Sequence, residues 1–398
     1  MQFADRLLPL QANVFHQMDA AKHQARQAGR EIIDLSIGSS DLSPPTEALQ
    51  VIKTSLEDAQ THGYTLFQGT RDFRQACAQW YERKFGLGVD ADTEVLPLIG
   101  SQEGTAIAPL ALLNPGDGAF LTDPCYPSHL GGVSLANGRV FRLPLRAEQA
   151  FLPMLAQIPE SQRQQAKIMV LSYPHNPTSA TAPLSFWEEA LAFCTAHDLV
   201  LVHDFPYVDW VFEGEAAVSV LQVDRQKQRS VECFSMSKSF HMGGFRVGFA
   251  IGNAQILQAM GQVRAVLNFN QNLAILRGAT AALQGSEDFV SQALQIYRQR
   301  RDVCVQALQE IGWQVPTPKA TMYLWMPLPP GFSGSAVEFC VKLVRDTGVA
   351  LAPGSGFGAE GEGYVRLALV RDELILKTAV EFMGSFLSKT ISSDMSRH

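Results

Sequence analysis

Four short, nearly continuous apolar runs constrain the fold of this chain more than anything else in it. They occupy residues 167–172, 199–204, 231–235 and 247–251. Each is too short for a buried helix and rich in Val, Ile, Leu and Phe, so each reads as a strand covered on both faces. Stretches with helical spacing lie among them, at residues 73–85 and 186–197. Strands and helices in alternation imply a mainly parallel sheet sandwiched by helices, an α/β architecture. In such sheets ligands bind at the carboxyl ends of the strands.

The rest of the chain surrounds this block. Residues 14–30 have helical spacing, and residues 32–38 read as a short strand ending at the glycine turn of Gly38. A long amphipathic helix is expected over residues 286–310, with Ser286 as its N-cap. Shorter elements follow at 322–326, 336–346 and 364–370, and residues 391–398 read as a frayed tail. A length of 398 residues exceeds one ordinary domain. Two are expected: a large one over residues 46–290 and a smaller α+β one built from residues 1–45 and 291–398.

The formal net charge of −7, without a Lys/Arg run, argues against a nucleic-acid or anionic-membrane surface. Positive groups should instead gather locally, where an anionic ligand sits. The six cysteines are scattered, with no Cys-x-x-Cys and no His/Cys cluster at metal spacing, so reduced thiols and no metal are expected. The N-terminus shows no basic region followed by an apolar run, and no stretch approaches membrane-span length, so the cytoplasm is the expected compartment.

The strongest chemical signal is Ser235, Ser237 and Lys238 just past a buried strand, with Arg246 eight positions on, after the pair Gly243–Gly244. An aldehyde cofactor with a phosphate tail needs these groups: an amine for a Schiff base, and hydroxyls plus a guanidinium for the phosphate. The bland alternative is an exposed lysine in a polar loop. Asp204 ends an apolar strand, where an unpaired carboxylate is costly, so it needs a cationic partner such as a protonated pyridine nitrogen. Its alternative role is a helix N-cap. Tyr207, three residues later, could bond the ring's phenolic oxygen. Asn176, in a proline-rich turn, could bond the same oxygen and a substrate carboxylate, or simply make the turn. Gly100, Ser101 and Gln102 form a strand–turn–helix start that suits a phosphate. Tyr126 follows another strand and could stack on the ring. Arg366 interrupts an apolar strand, and its planar fork suits an α-carboxylate, or else a structural ion pair. The glycine run 354–358 imitates a nucleotide loop but is followed by more glycine and a strand, not a helix.

In this order the motifs resemble the class I/II aminotransferases, pyridoxal-phosphate (PLP) enzymes of fold type I, over roughly residues 38–369. Segments 64–70, 94–104 and 353–358 most resemble the branch holding LL-diaminopimelate aminotransferases and related aspartate-type enzymes. The resemblance implies a seven-stranded sheet and a role for each residue. Lys238 would carry PLP and move the proton, and Asp204 would pair with the ring nitrogen. Tyr207 and Asn176 would bind the phenolic oxygen, and Tyr126 would stack. Ser101, Gln102, Ser235, Ser237 and Arg246 would hold the phosphate. Tyr64 would reach the phosphate of a neighbouring subunit, implying a homodimer with shared sites. Arg366 would clamp the α-carboxylate, and Gly38 would lie against substrate. Three positions depart from the branch: Phe245 where relatives often carry Trp, Asn13 where a substrate-touching Tyr is usual, and residues 263–272, where Arg264 is the nearest candidate for a distal-carboxylate arginine.

The activity implied is amino transfer between an amino acid and a 2-oxo acid, with 2-oxoglutarate and glutamate as one pair. LL-diaminopimelate, N-succinyl-diaminopimelate or aspartate is the candidate donor, which would place the enzyme in lysine or other amino-acid biosynthesis. A PLP lyase or decarboxylase on the same fold is the alternative enzyme. A PLP-binding regulator is the non-catalytic alternative, but it would need a DNA-binding domain for which the match leaves no room.

Overall fold

The computed structural model describes residues 3–11, 14–285 and 287–395, so Asn13 and Ser286 lie outside the described residues. In chain order the strands are β1 (Ile33–Asp34), β2 (Val95–Leu98), β3 (Gly118–Asp123), β4 (Arg139–Pro144), β5 (Ala166–Leu171), β6 (Val200–Asp204), β7 (Ser230–Ser235) and β8 (Gly248–Gly252), followed by β9 (Tyr323–Pro327), β10 (Val349–Ala350), β11 (Ala352–Pro353) and β12 (Tyr364–Ala368). Strands β2 to β8 form the seven-stranded sheet, in the order β2-β8-β7-β6-β5-β3-β4. Strand β8 runs antiparallel to both β2 and β7, and the other pairs are parallel. The mostly parallel α/β sheet expected from the apolar runs is therefore present.

Side chains of these strands alternate between two cores, as the pleat requires. Phe120, Met169, Leu171 and Leu201 point to one face, covered by helices Arg71–Phe85, Leu184–Ala196 and Leu273–Gln284. Ala119, Leu121, Ile168, Val170 and Val202 point to the other, under helices Ser101–Leu112, Pro127–Leu135 and Ala254–Leu267. Local chemistry fixes the helix ends. Gly86 takes φ 66° and stops Arg71–Phe85, while the Asn253 side chain accepts from Gln255 and Ile256 N–H to start Ala254–Leu267.

One polar cluster is buried inside this sheet. Glu232 on β7 is fully buried and accepts from Tyr81 Oη (3.1 Å), Ser219 Oγ (2.8 Å) and Val220 N–H (2.8 Å), with His203 Nδ1 at 2.9 Å. His203 Nε2 lies 3.0 Å from Tyr173 O, which ties the end of β6 to the loop after β5. A buried carboxylate is tolerated here because donors surround it.

A second core takes side chains from near both chain ends, including Met18, Leu35, Leu308, Leu343, Leu367 and Met383, together with Tyr207, Trp210 and Phe212. It surrounds the antiparallel sheet β11-β12-β9 and the parallel pair β1-β10. The piece expected as a strand over 32–38 is extended only at β1, and the frayed tail expected over 391–398 is instead helical through Met395, continuing Glu373–Met395. Residues 396–398 lie outside the described residues. Among the described residues no helix is long and apolar enough to cross a membrane.

Helix Leu273–Gln284 packs on helix Thr46–Ser55 through Gly278, where a Cβ would meet Ile52 Cγ1 at 2.2 Å. Gly278→Val should therefore lower stability by about 1–3 kcal/mol, read as a shifted urea midpoint. Ile52→Ala should recover part of that loss in the double variant.

Candidate active site

Every parallel strand of the large sheet that carries a motif residue delivers it to one end. Strand β6 ends at Asp204 and β7 at Ser235. Strand β5 is followed by Ser172 and Asn176, β3 by Tyr126, and β2 by Gly100 and Ser101. There a cavity of about 470 Å³ opens, lined by Ser101, Tyr126, Ser172, Asn176, Asp204 and Ser235 and by Lys238, Arg246, Tyr207, Gly38 and Arg366. Residues far apart in sequence thus meet in one volume large enough for a phosphorylated ring and a small amino acid.

At one end lies an anion seat. Gly100 takes φ 78° between β2 and the helix that begins at Ser101, leaving the first backbone N–H groups of that helix without intrahelical partners. The guanidinium of Arg246 lies over this turn: a Cβ at Gly100 would sit 2.6 Å from its Nη2. Arg246 itself has φ 55° and donates to Gly243 O at 3.0 Å. Ser235 Oγ accepts from Ser237 N–H at 3.2 Å, and Tyr126 Oη donates to Gln102 Oε1 at 3.3 Å. Glu103 holds the turn from behind: its carboxylate accepts from Ile99 N–H at 2.6 Å and from Asn268 Nδ2 at 2.6 Å.

In the middle lie Lys238 and Asp204. Lys238 Nζ donates to Gly38 O at 2.5 Å and sits 5.4 Å from the Tyr207 ring. Asp204 is 4 % exposed. Its Oδ2 lies 3.0 Å from His129 Nε2, whereas its buried Oδ1 has no hydrogen-bond partner. Asp204 therefore caps no helix, and an orphaned carboxylate oxygen in a cavity calls for a cationic donor. Burial alone would make His129 less basic, but the hydrogen bond to Asp204 overrides it and raises the imidazole to about 9. Tyr207 Oη lies 2.7 Å from Tyr323 Oη. Tyr323 faces Lys238 and Arg366, whose charges more than offset burial and make its phenol more acidic than usual. Gly38 is required at its position because a Cβ there would lie 1.9 Å from Tyr323 Oη.

At the far end Arg366 is buried. It donates from Nη1 to Asn176 Oδ1 (2.7 Å) and from Nη2 to Ser36 O (2.8 Å), and its guanidinium lies 4.2 Å from the Tyr323 ring centroid and 4.6 Å from that of Phe357. Among the described residues no carboxylate pairs with it, so the structural ion pair considered from sequence does not form. Asn176 spends its oxygen on Arg366, which leaves its amide N–H₂ to donate.

One sequence expectation changes here, and two others keep their place outside the cavity. Arg264 does not line the cavity; it is buried, lies 3.4 Å from Glu103 and donates to Asn270 Oδ1, so it is not placed to take a distal carboxylate. Tyr64 is 82 % exposed and lies against Phe269 outside the cavity. The glycine run 354–358, read from sequence as only imitating a nucleotide loop, does not line the cavity, and Gly358 packs against Asp123. His129, Tyr323 and Glu103 were not singled out from sequence. His129 follows Tyr126 by one helical turn, and nothing in the sequence links it to position 204.

This set of groups fits pyridoxal phosphate. Lys238 supplies an amine, Asp204 Oδ1 a buried acceptor for a protonated ring nitrogen, and the Gly100 turn with Arg246 and the serines a phosphate seat. Comparison with known proteins agrees. Residues 30–382 match the family model for aminotransferase class I and II. An LL-diaminopimelate aminotransferase of Syntrophobacter fumaroxidans is 40 % identical over 96 % of this chain and 97 % of its own. One of Dehalococcoides mccartyi is 39 % identical over 98 % and 100 %. Among solved structures, a probable N-succinyldiaminopimelate aminotransferase from Thermus thermophilus superposes with a TM-score of 0.88 at 43 % identity, covering 94 % of this chain and 99 % of the other. The chain belongs to the class I and II aminotransferases. It is accordingly a PLP-dependent transaminase acting on small-molecule substrates.

The His129–Asp204 contact carries a pH signature. A group whose folded pKa is raised stabilises fully below its ordinary value, near 6.5, and loses that contribution as pH rises through about 9. The difference in melting temperature between wild type and His129→Gln should therefore be largest near pH 6 and shrink by pH 9.5.

Proposed function

We propose that this transaminase works by ping-pong exchange between an amino acid and a 2-oxo acid, with glutamate and 2-oxoglutarate as one pair and LL-diaminopimelate as the donor. N-succinyl-diaminopimelate and aspartate are the competing donors. One observation carries the reading of the site: a single cavity joins Lys238, the unpaired oxygen of Asp204 and an Arg366 that has no acid partner. The donor follows from the relatives, whose full lengths this chain spans.

When bound, the cofactor supplies an electron sink for negative charge developing at the substrate Cα. The residues here do the rest. Arg366 and the Asn176 amide bind and orient the α-carboxylate through a planar fork already aimed by Ser36 O. Lys238 would hold the cofactor aldehyde, and its Nζ is the group that would take the proton from the substrate Cα, a kind of general-base transfer that contributes about 10²–10⁴-fold. Asp204, fixed by His129, keeps the ring nitrogen protonated. Tyr207 and Asn176 hold the phenolic oxygen, Tyr126 covers the ring, and Ser101, Gln102, Ser235, Ser237 and Arg246 hold the phosphate.

The same reading makes the enzyme a homodimer with shared sites, placed in the cytoplasm. Tyr64, Leu66, Phe67, Val266, Leu267 and Phe269 are all exposed, and Tyr64 and Phe269 rings lie 4.9 Å apart. So much exposed apolar surface in one place suits an interface that carries Tyr64 to a partner's phosphate seat.

Lys238→Ala should abolish turnover by at least 10³-fold and remove the visible absorption of the lysine-bound cofactor, measured by steady-state assay and absorbance; a variant that kept both would sink the assignment. Arg366→Ala should raise the KM for every amino donor by one to two orders of magnitude while the cofactor spectrum stays unchanged. In a single half-reaction without acceptor, amino transfer yields one equivalent of 2-oxo acid, an outcome a lyase or decarboxylase does not give.

A further inference from the structure

The cavity has one cationic side chain that the reading above leaves without a task. Among the described residues four Lys and Arg side chains line it: Lys22, Lys238, Arg246 and Arg366. Three have roles. Lys22 comes from helix Val14–Gln27 and is 6 % exposed. Its ammonium lies 2.8 Å from Asp19, one turn earlier on the same helix, and 3.2 Å from Asp34 on β1. Two of its three N–H donors are thereby taken, and the third remains for the cavity. Burial would make Lys22 less basic, but Asp19 and Asp34 overcome that and hold it charged.

The two acids beside it are not equivalent. Asp34 is fully engaged: it accepts from Ser36 N–H at 3.0 Å and from Ser36 Oγ at 2.6 Å, besides Lys22. Asp19 also lines the cavity, but its side chain is 66 % exposed and Lys22 is the partner found for it. Two carboxylates against one ammonium leave this corner with an excess negative charge. A ligand bringing only a carboxylate to Lys22 would meet that excess, whereas one bringing a carboxylate and an ammonium together would satisfy both Lys22 and Asp19.

This corner is also tied to the α-carboxylate end. Ser36 O accepts from Arg366 Nη2 at 2.8 Å, while Ser36 Oγ and N–H bind the same Asp34 that holds Lys22. Phe15, one turn before Asp19 on that helix, stacks edge-on against Phe357, whose ring supports Arg366. The two charged ends of the cavity are therefore held at a fixed spacing by residues 34–36.

We infer that Lys22 and Asp19 form a second recognition site, which reads the far end of the donor and accepts a head carrying both a carboxylate and a free ammonium. The inference rests on the aminotransferase reading and deepens it. The substrate class becomes an amino acid with an amino-acid group at each end, and a donor whose far amine is acylated lacks the ammonium that Asp19 would take.

The test uses three ligands of one chain length: LL-diaminopimelate with both distal charges, L-2-aminopimelate with the carboxylate alone, and L-2-aminoheptanoate with neither. Binding is measured by calorimetry on the cofactor-loaded full-length protein in a Lys238→Ala background, so that no turnover is needed. LL-diaminopimelate should bind best. Asp19→Asn should weaken it about tenfold or more, to the level of L-2-aminopimelate, and leave the other two unchanged. Lys22→Met should weaken both diacids and spare L-2-aminoheptanoate, while Lys22→Arg should retain their binding. Asp19 is exposed, so its variant folds even if Lys22→Met does not. The inference is overturned if Asp19→Asn leaves LL-diaminopimelate binding intact, or if the substitutions weaken all three ligands alike. Failure of all three to bind the protein with Lys22 and Asp19 intact would overturn the diaminopimelate-donor reading on which the inference rests, rather than the Lys22–Asp19 site alone.

Discussion

A carboxylate buried at the end of a buried strand is the constraint from which the site follows. Asp204 sits where β6 leaves the sheet, and it cannot stay charged there without partners. His129 satisfies one oxygen from the facing helix and the other is left for a ligand. That half-satisfied state sets the cavity's chemistry: the protein supplies a fixed acceptor, which in the proposed reading a pyridine nitrogen completes. The Glu232–His203 contact one strand over does the opposite. Its carboxylate is surrounded by donors inside the sheet, so it holds β6 and β7 in place and offers nothing to a ligand.

Around Asp204 the cavity is organised as a sequence of charges on rigid supports. The phosphate seat lies on a glycine turn backed by Glu103, and Lys238 rests on the Gly38 carbonyl. Arg366 is held flat between Asn176, Ser36 and two aromatic rings. Each cation is aimed by carbonyl or amide oxygens rather than neutralised by a carboxylate, which leaves its charge for the ligand. Lys22 is the exception, and its two acids make it selective for a head group that brings an ammonium of its own. Four cationic side chains thus line one cavity within a chain of net charge −7.

Much of this was legible in the sequence. The apolar runs located β5 to β8 because a strand buried on both faces leaves no polar position to blur the pattern. Lys238, Asp204, Arg366 and the Ser101 turn stood out as a set, because each alone has a structural alternative but together they match the needs of one ligand. Arg264 was named only as the nearest candidate within a segment that departs from the resembled branch, and the packing places it beside Glu103 instead. Residues 391–395 were read as frayed because they lie at the terminus, yet the backbone continues the preceding helix through them.

What the sequence determined by itself were the local matters: which segments are strands, which residues end them, and which chemical groups stand at those ends. Side-chain alternation and turn chemistry act over two to four residues, so the chain states them directly. The tertiary structure alone decided the pairings. His129 meets Asp204 across 75 positions, Tyr323 meets Tyr207 across 116, and Arg366 meets Asn176 across 190. Those contacts depend on how helices and sheets pack, and no local pattern encodes them. The same packing brings the exposed acid at position 19 and the buried lysine at 22 to the mouth of the site, where an ordinary helix pair becomes a means of telling one donor from another.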